Sequence, residues 1–289
     1  MLATKTSAKI LKEVYKPQPA EAHKYDNGLL LIIGGSEFYS GSPALSAFAA
    51  FKAGVDMVQI IAPERAANII ASFSPILAAY PLKSERLTKK DLPTILAMTK
   101  SAQIVAKDKV AVLIGGGLGR SKETQDTILE YLSQISVPVV IDADAIHALA
   151  KNPKVIAGKP VVVTPHLYEF YVLTGKEVID AEQGVRQKLV FEEAKRLRTT
   201  ILLKSKIDII SDGKELVLNE TGTPYMSVGG TGDTLAGICG SLVARGASPF
   251  LAAQAAAYIN GKAGEIAAEK LKMSLTATDL IDAIPEVVN

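Results

Sequence analysis

Short, uninterrupted apolar runs that each end on glycine or on a small polar or ionisable residue recur along the chain, with helical stretches between them. This pattern limits the fold more than any other feature. Residues 28–33 end in Gly34-Gly35-Ser36, 110–114 in Gly115-Gly116-Gly117-Leu118-Gly119, and 138–141 in Asp142-Ala143-Asp144. Residues 160–163 end in Thr164-Pro165-His166, and 200–203 end at Lys204. A strand apolar at every position is covered on both faces, which is the condition of a parallel sheet between two helical layers. Residues 56–61, stopped at Pro63, lie one helix beyond the first such strand, so strand, helix and strand read as a parallel crossover. The expected fold class is α/β, a three-layer sandwich with a central, mostly parallel sheet. Open sheets of this kind bind ligands beyond the carboxyl ends of their strands, so one shared cleft is expected there.

The rest of the chain fits around that sheet. A first helix is expected over 7–14, followed by the extended segment Lys16-Pro17-Gln18-Pro19. Ser42 reads as the N-cap and Pro43 as the first residue of an alanine-rich helix running to Lys52 and stopping before Gly54. Helices are expected over 123–136, up to Ala150, and around Glu169. Asp212-Gly213 joins two short strands, 207–211 and 215–218, as a hairpin. Ser248-Pro249 opens a long alanine-rich helix to about Leu271. No repeat, low-complexity tract or long linker interrupts the chain, so a single domain over 1–289 is expected.

Nearly half of the residues are apolar, but no apolar stretch approaches the roughly 18 residues that span a bilayer. The first 24 residues contain no apolar run followed by a cleavage site, so a cytoplasmic protein is expected. Cys239 is the only cysteine, which excludes an intramolecular disulfide and argues against a cysteine metal site; within its helix it reads as a small buried apolar residue. With a formal net charge of +2 and interspersed signs, no broad basic face for nucleic acid is expected. An anionic ligand must therefore be held locally.

The place to hold one is Val228-Gly229-Gly230-Thr231-Gly232-Asp233-Thr234-Leu235-Ala236-Gly237, a glycine-rich turn running into an apolar helix. The free N–H groups and positive end of that helix face whatever occupies the turn, which suits a phosphate. A carboxylate there repels a bound anion, so Asp233 either complements the helix dipole or serves as a general base. Gly115 to Gly119 matches neither the dinucleotide fingerprint nor the P-loop spacing, and reads as a tight turn or a place of close ligand approach. Asp142 and Asp144 read equally as helix caps or as site residues. His166 reads as structural or exposed, Glu169 as a first-turn dipole partner, and Lys204 as a surface lysine or a phosphate contact.

Taken in order, these segments resemble a known family. His23-Lys24 before Gly28, Gly34-Gly35-Ser36, Gly41 with the helix ending Ala53-Gly54, Gly115 to Gly119, Asp142-Ala143-Asp144-Ala145, Thr164-Pro165-His166 with Glu169, and Gly230-Thr231-Gly232-Asp233 look like the ADP/ATP-dependent NAD(P)H-hydrate dehydratases. The resemblance runs from about residue 20 to 270. It implies a ribokinase-like fold and a repair reaction on the 6-hydroxy adducts of NADH and NADPH (NADHX and NADPHX). The hydroxyl is phosphorylated from ADP or ATP, and phosphate is then eliminated. By the same resemblance Asp233 is the base, and Gly230, Thr231 and Gly232 form the anion hole. Ala44, Gly119, His166 and Asp233 contact the hydrated cofactor; Lys204, Ser205, Lys206, Ile207, Asp208 and Gly232 hold the nucleotide. Mg2+ bridges the phosphates, with Glu169 as a holder through water. Partners implied are a separate NAD(P)H-hydrate epimerase and further copies of the chain in a homotetramer, with no nucleic acid or membrane partner. ADP is the expected donor.

Four positions depart from the family pattern. Tyr25 stands where glycine follows His-Lys, Gly116 where proline is usual, Tyr168 where glycine precedes Glu169, and Ser205 where glycine follows the lysine. Tyr168 is expected to narrow the cleft near the phosphates. A related vitamin-precursor kinase and a non-catalytic nucleotide sensor are the alternatives; Asp233 separates the last from the enzymes, because a sensor needs no base.

Overall fold

A computed structural model describes residues 3–289. Its elements in chain order are β1 (Thr4–Lys5), α1 (Leu11–Val14), β2 (Leu29–Ile33), α2 (Gly41–Lys52), β3 (Met57–Pro63), α3 (Glu64–Phe73) and β4 (Ala78–Leu82). There follow α4 (Leu92–Ala106), β5 (Val110–Ile114), α5 (Lys122–Gln134), β6 (Val139–Ile141), α6 (Asp144–Leu149), β7 (Val161–Val163), α7 (Leu167–Thr174) and α8 (Gln183–Leu197). The chain ends with β8 (Thr200–Leu203), β9 (Asp208–Ser211), β10 (Leu216–Asn219), α9 (Thr231–Ala244), α10 (Pro249–Leu271) and α11 (Ala277–Val288).

One sheet carries all ten strands in the order β1-β10-β9-β8-β7-β6-β5-β2-β3-β4. From β4 to β8 every pairing is parallel; β9 runs antiparallel to both β8 and β10. The hairpin expected through Asp212-Gly213 is β9–β10, with Ser211 opposite Leu216.

Alternate residues of each strand feed two separate cores. Leu30, Ile32, Ala111, Leu113, Val140 and Leu202 pack under α2, α3, α9, α10 and α11. Leu29, Leu31, Ile33, Val112, Ile114 and Ile141 pack under α4 to α8. All five residues of β2 are buried, as expected of a strand with helices on both faces.

Close approach of α2 to α9 is made by Gly237, where an added Cβ would lie 2.1 Å from the Ser46 carbonyl oxygen. The alanines of α10, including Ala252, Ala255, Ala256 and Ala263, are buried in the chain's own core, so its composition serves internal packing. Cys239 is fully buried there, as expected. No described helix is long and apolar enough to cross a membrane.

One cap differs from expectation. The helix expected from Pro43 begins two residues earlier, at Gly41, with Ser40 at its N-cap and Ser42 inside its first turn. Ser42 is freed from capping because its hydroxyl has a partner on another element, described next.

A candidate phosphoryl-transfer site at the carboxyl edge of the sheet

The ends of β5 to β8 meet the start of α9 at one edge of the sheet. Gly230, in the left-handed region at φ +98°, is the N-cap of α9, and no side chain caps the helix. Thr231 donates through Oγ1 to the carbonyls of Met226 (2.9 Å) and Val228 (3.1 Å), which fixes the turn. Its hydroxyl is thus committed to the backbone, and the anion site is left to the N–H groups of the first turn of the helix.

Asp233 sits in that first turn and is gripped by α2. Ser42 Oγ donates to Asp233 Oδ2 at 3.2 Å, and Ser46 Oγ to the Asp233 carbonyl at 2.9 Å. These serines lie one helical turn apart on one face of α2, and sequence reading missed both roles; two serines at that spacing in a buried alanine-rich helix were the available signal. Gly116 lies on the other side of the carboxylate: a Cβ there would be 3.3 Å from Asp233 Oδ1 and 3.0 Å from the Ser42 Cβ. The departure from proline at this position therefore keeps space open beside Asp233. Gly115 is required by contact between strand ends, since its φ is +140° and a Cβ would fall 1.7 Å from the Asp142 carbonyl oxygen.

Lys204, at the end of β8, closes the site from the opposite side. Its Nζ lies 2.8 Å from Asp142 Oδ1 and 3.9 Å from Glu169 Oε2, and a Cβ on Gly232 would be 3.5 Å from it. Lys204 is therefore no surface lysine; it stands at the positive end of α9. Asp142 also accepts from Thr164 Oγ1 at 2.7 Å, and Asp144 accepts from the Gly119 amide (2.8 Å) and Arg120 Nε (2.7 Å). Neither aspartate caps α6 through its side chain, and Asp144 is the acidic residue of its first turn.

His166 and Glu169 are joined as a capping box of α7. His166 Nδ1 accepts from the amides of Tyr168 and Glu169, both at 3.2 Å, while Glu169 Oε2 accepts from the His166 amide at 2.9 Å. The structural expectation for both residues is met, and the box also sets Glu169 beside Lys204. Tyr168 is half exposed, with its ring 6.4 Å from those of His166 and His147.

The remaining positions are accounted for individually. Ala44 is buried in the first turns of α2, two residues beyond Ser42. Ser205, Lys206 and Ile207 form the turn between β8 and β9, closed by Asp208 Oδ1 accepting from the Ser205 amide at 3.0 Å. Ser205 has no left-handed backbone, so glycine is not required there; Lys206 is exposed. Tyr25, in contrast, does hold a positive φ of 79°, the region for which glycine is suited.

Charge burial shapes the site. Burial pushes the Asp233 carboxyl up to about 6, with the Asp142 charge adding to it and the Ser42 hydrogen bond and Lys204 opposing it. Burial alone would lower Lys204, but Asp142 and Glu169 outweigh it and hold the ammonium above its ordinary value. Burial raises Glu169 against the pull of Lys204. Burial and Lys204 both lower His166, which keeps the ring neutral near pH 7. Asp208 is likewise raised to about 6 by burial.

No group of three or more His, Cys, Asp or Glu side chains gathers as a metal cage among the described residues. Magnesium is held chiefly by phosphate oxygens and water with one or two carboxylates. Asp142 and Glu169 are the carboxylates beside Lys204, so the donor set fits such an ion.

The arrangement can therefore place an anion between α9 and Lys204 and a hydroxyl against Asp233. A family model described as NAD(P)H-hydrate dehydratase matches residues 30–286. The bifunctional NAD(P)H-hydrate repair enzyme of Hyperthermus butylicus is 41% identical over 280 residues, covering 95% of this chain and 51% of that protein. The chain thus spans about half the length of several curated relatives it matches. The ADP-dependent (S)-NAD(P)H-hydrate dehydratase of Nitrosopumilus maritimus is 35% identical, with 99% and 98% of the two chains covered. The crystal structure of the ADP/ATP-dependent NAD(P)H-hydrate dehydratase of Bacillus subtilis, grown with ATP/Mg2+, superposes with a TM-score of 0.79 at 24% identity, covering 99% of this chain and 98% of that one. At that identity the superposition shows a shared fold.

Proposed function

The chain belongs to the NAD(P)H-hydrate dehydratase family, and from this premise we propose that it restores NADH and NADPH from their 6-hydroxy adducts, acting on the S epimer with ADP as phosphoryl donor. The observation that carries the proposal is the position of Asp233: a partly buried carboxylate pushed up to about 6, at the uncapped start of α9 and across from Lys204. A base with a pKa close to the working pH both accepts a proton readily and is largely ionised beforehand.

In this reading the 6-hydroxyl lies against Asp233, which takes its proton as the oxygen attacks the terminal phosphorus of ADP. The bond from that phosphorus to the AMP oxygen breaks, and AMP leaves. The N–H groups at the start of α9 and the Lys204 ammonium stabilise the charge that develops on the transferred group. The C6–O bond then breaks with phosphate leaving, and loss of the C5 proton restores the ring double bond. Hydroxide is a poor leaving group, so phosphorylation is what makes the elimination feasible. Asp142, Thr164 and Glu169 hold Lys204 in place through the contacts already described. Asp142 and Glu169 would hold magnesium, which would neutralise phosphate charge.

Contacts of Ala44, Gly119 and His166 with the hydrated cofactor, and of Lys204 to Asp208 with the nucleotide, belong to the same proposal. So do a cytoplasmic setting, a homotetramer, and an epimerase that supplies the S form; the bifunctional names of the longer relatives support a second repair activity alongside this one. The test is stoichiometry with purified protein, magnesium, NADHX and ADP. NADH, AMP and phosphate should form one for one for one. Phosphate and AMP released without NADH would sink the reading.

A further inference from the structure

Strand β1 is the edge strand at the end of the sheet opposite β4. It runs parallel to β10, with Thr4 opposite Val217 and Lys5 opposite Leu218, and the Thr6 amide extends the pairing by donating to the Leu218 carbonyl at 2.9 Å. This register sets the Thr6 hydroxyl against Asn219, the last residue of β10 and 213 residues away along the chain.

Asn219 is fully buried, and its amide is fully used. Nδ2 donates to Asp208 Oδ2 (3.1 Å) and to the Ala257 carbonyl (3.2 Å), while Oδ1 accepts from the hydroxyls of Thr6 (2.7 Å) and Thr221 (2.9 Å). A carboxylate and a carbonyl only accept, so they require the nitrogen side of the amide, and the oxygen side is left to the two hydroxyls. Removing one hydroxyl leaves a buried acceptor short of a partner and loosens the orientation of the whole group.

From Asn219 the constraint passes to the turn after Lys204. Asp208 uses its other oxygen, Oδ1, to accept from the Ser205 amide at 3.0 Å, which closes that turn. The facing wall is held from the same helix as Asn219. Three residues beyond Ala257 in α10, Asn260 donates through Nδ2 to the Thr231 carbonyl (3.3 Å) and accepts through Oδ1 from Thr234 Oγ1 (2.6 Å), gripping the first turn of α9. Two buried amides thus register the turn of Ser205 to Ile207 and the start of α9 on one turn of α10, and Thr6 joins the edge strand to that arrangement.

We propose that Thr6 is a positioning residue for the nucleotide: through Asn219 and Asp208 it holds the turn of Ser205 to Ile207 in the shape that binds ADP. This rests on the reading given under Proposed function, which seats the nucleotide on Lys204 to Asp208. The effect is one of preorganisation, because a turn already ordered loses less freedom on binding. It falls on binding and not on the chemical step, since the bonds of Thr6 and Asn219 go to neither Lys204 nor Asp233.

The test is the dissociation constant of ADP by calorimetry in the presence of magnesium, with kcat and the KM for ADP on NADHX measured beside it. Thr6→Val keeps the shape of the side chain and removes the hydroxyl. It should weaken ADP binding and raise the KM by about fivefold, the loss expected for one hydrogen bond, with kcat unchanged. Thr6→Ser keeps the hydroxyl and should bind ADP as wild type does. Lys5→Ala breaks the exposed ion pair with Glu220 (2.8 Å) and should also leave ADP binding unchanged, which separates the Thr6 hydroxyl from docking of the strand as such. ADP affinity unchanged in Thr6→Val, or weakened as much in Thr6→Ser or Lys5→Ala, would overturn the proposal alone. Wild-type protein that binds no ADP would overturn the function reading and this proposal with it.

Discussion

Four influences set the state of Asp233, the proposed base: burial and the neighbouring Asp142 charge raise its pKa, and the Ser42 hydrogen bond and Lys204 hold the rise to about 6. The rate should therefore fall as pH drops through about 6, where the base becomes protonated, and kcat measured against pH reads this directly. Ser42→Ala removes an interaction that favours the carboxylate, so the acid limb should move upward. An unmoved limb would assign it to another group. The stability consequence has the opposite sign to that of an ordinary salt-bridged aspartate. A folded pKa raised above the unfolded 3.8 favours the native state when Asp233 is protonated, and that contribution is lost as pH rises through about 6. Asp233→Asn should then stabilise the protein at pH 8 by about 1–3 kcal/mol, with the gain vanishing near pH 4; urea unfolding at the two pH values measures it. The residue types of this site were largely legible, since Asp233 and Lys204 stand at the ends of recognisable elements. Ser42 was misread because Ser-Pro-Ala after glycine is a normal helix start, and a hydroxyl's choice between its own helix and a neighbouring one is made by packing.

The element pair on which the site depends is α2 against α9, brought together where Gly237 faces the Ser46 backbone. Gly237→Val leaves no room at 2.1 Å, so the helices must separate and both serines must draw away from residue 233. A loss of about 3 kcal/mol or more in stability, read by denaturant, should accompany a fall in turnover larger than the change in KM for ADP. Stability equal to wild type would show that the contact is not tight. Strands β2, β5, β6, β7 and β8 announced themselves as apolar runs ending in small or charged residues. Strand β4 did not: Ala78–Leu82 is a partly exposed edge strand interrupted by Pro81, with neither continuous apolarity nor alternation. The polar α8, Gln183–Leu197, gave a weak signal for the same kind of reason, with few buried positions to establish a period.

At the scale of the molecule, the parallel run of seven strands gathers residues distant in sequence onto one edge. Asp142, Lys204 and Asp233 come from three separate strand or helix boundaries, and only the sheet order makes them neighbours. That edge was legible, because strand ends in an open parallel sheet define where ligands bind. The ion pair of Lys204 with Asp142 was not, because side-chain pairing across strands leaves no mark on either segment. The decisive measurement is recovery of the near-ultraviolet absorbance of NADH from its S hydrate, with ADP and magnesium, in wild type and in Asp233→Asn. The prediction is a rate lower by a factor of about 1,000 in the variant, the loss expected on removing a general base, while ADP continues to raise the melting temperature of both proteins. A variant that still turns over within tenfold of wild type would contradict the assignment of Asp233 as the base and, with it, the mechanism built around that residue.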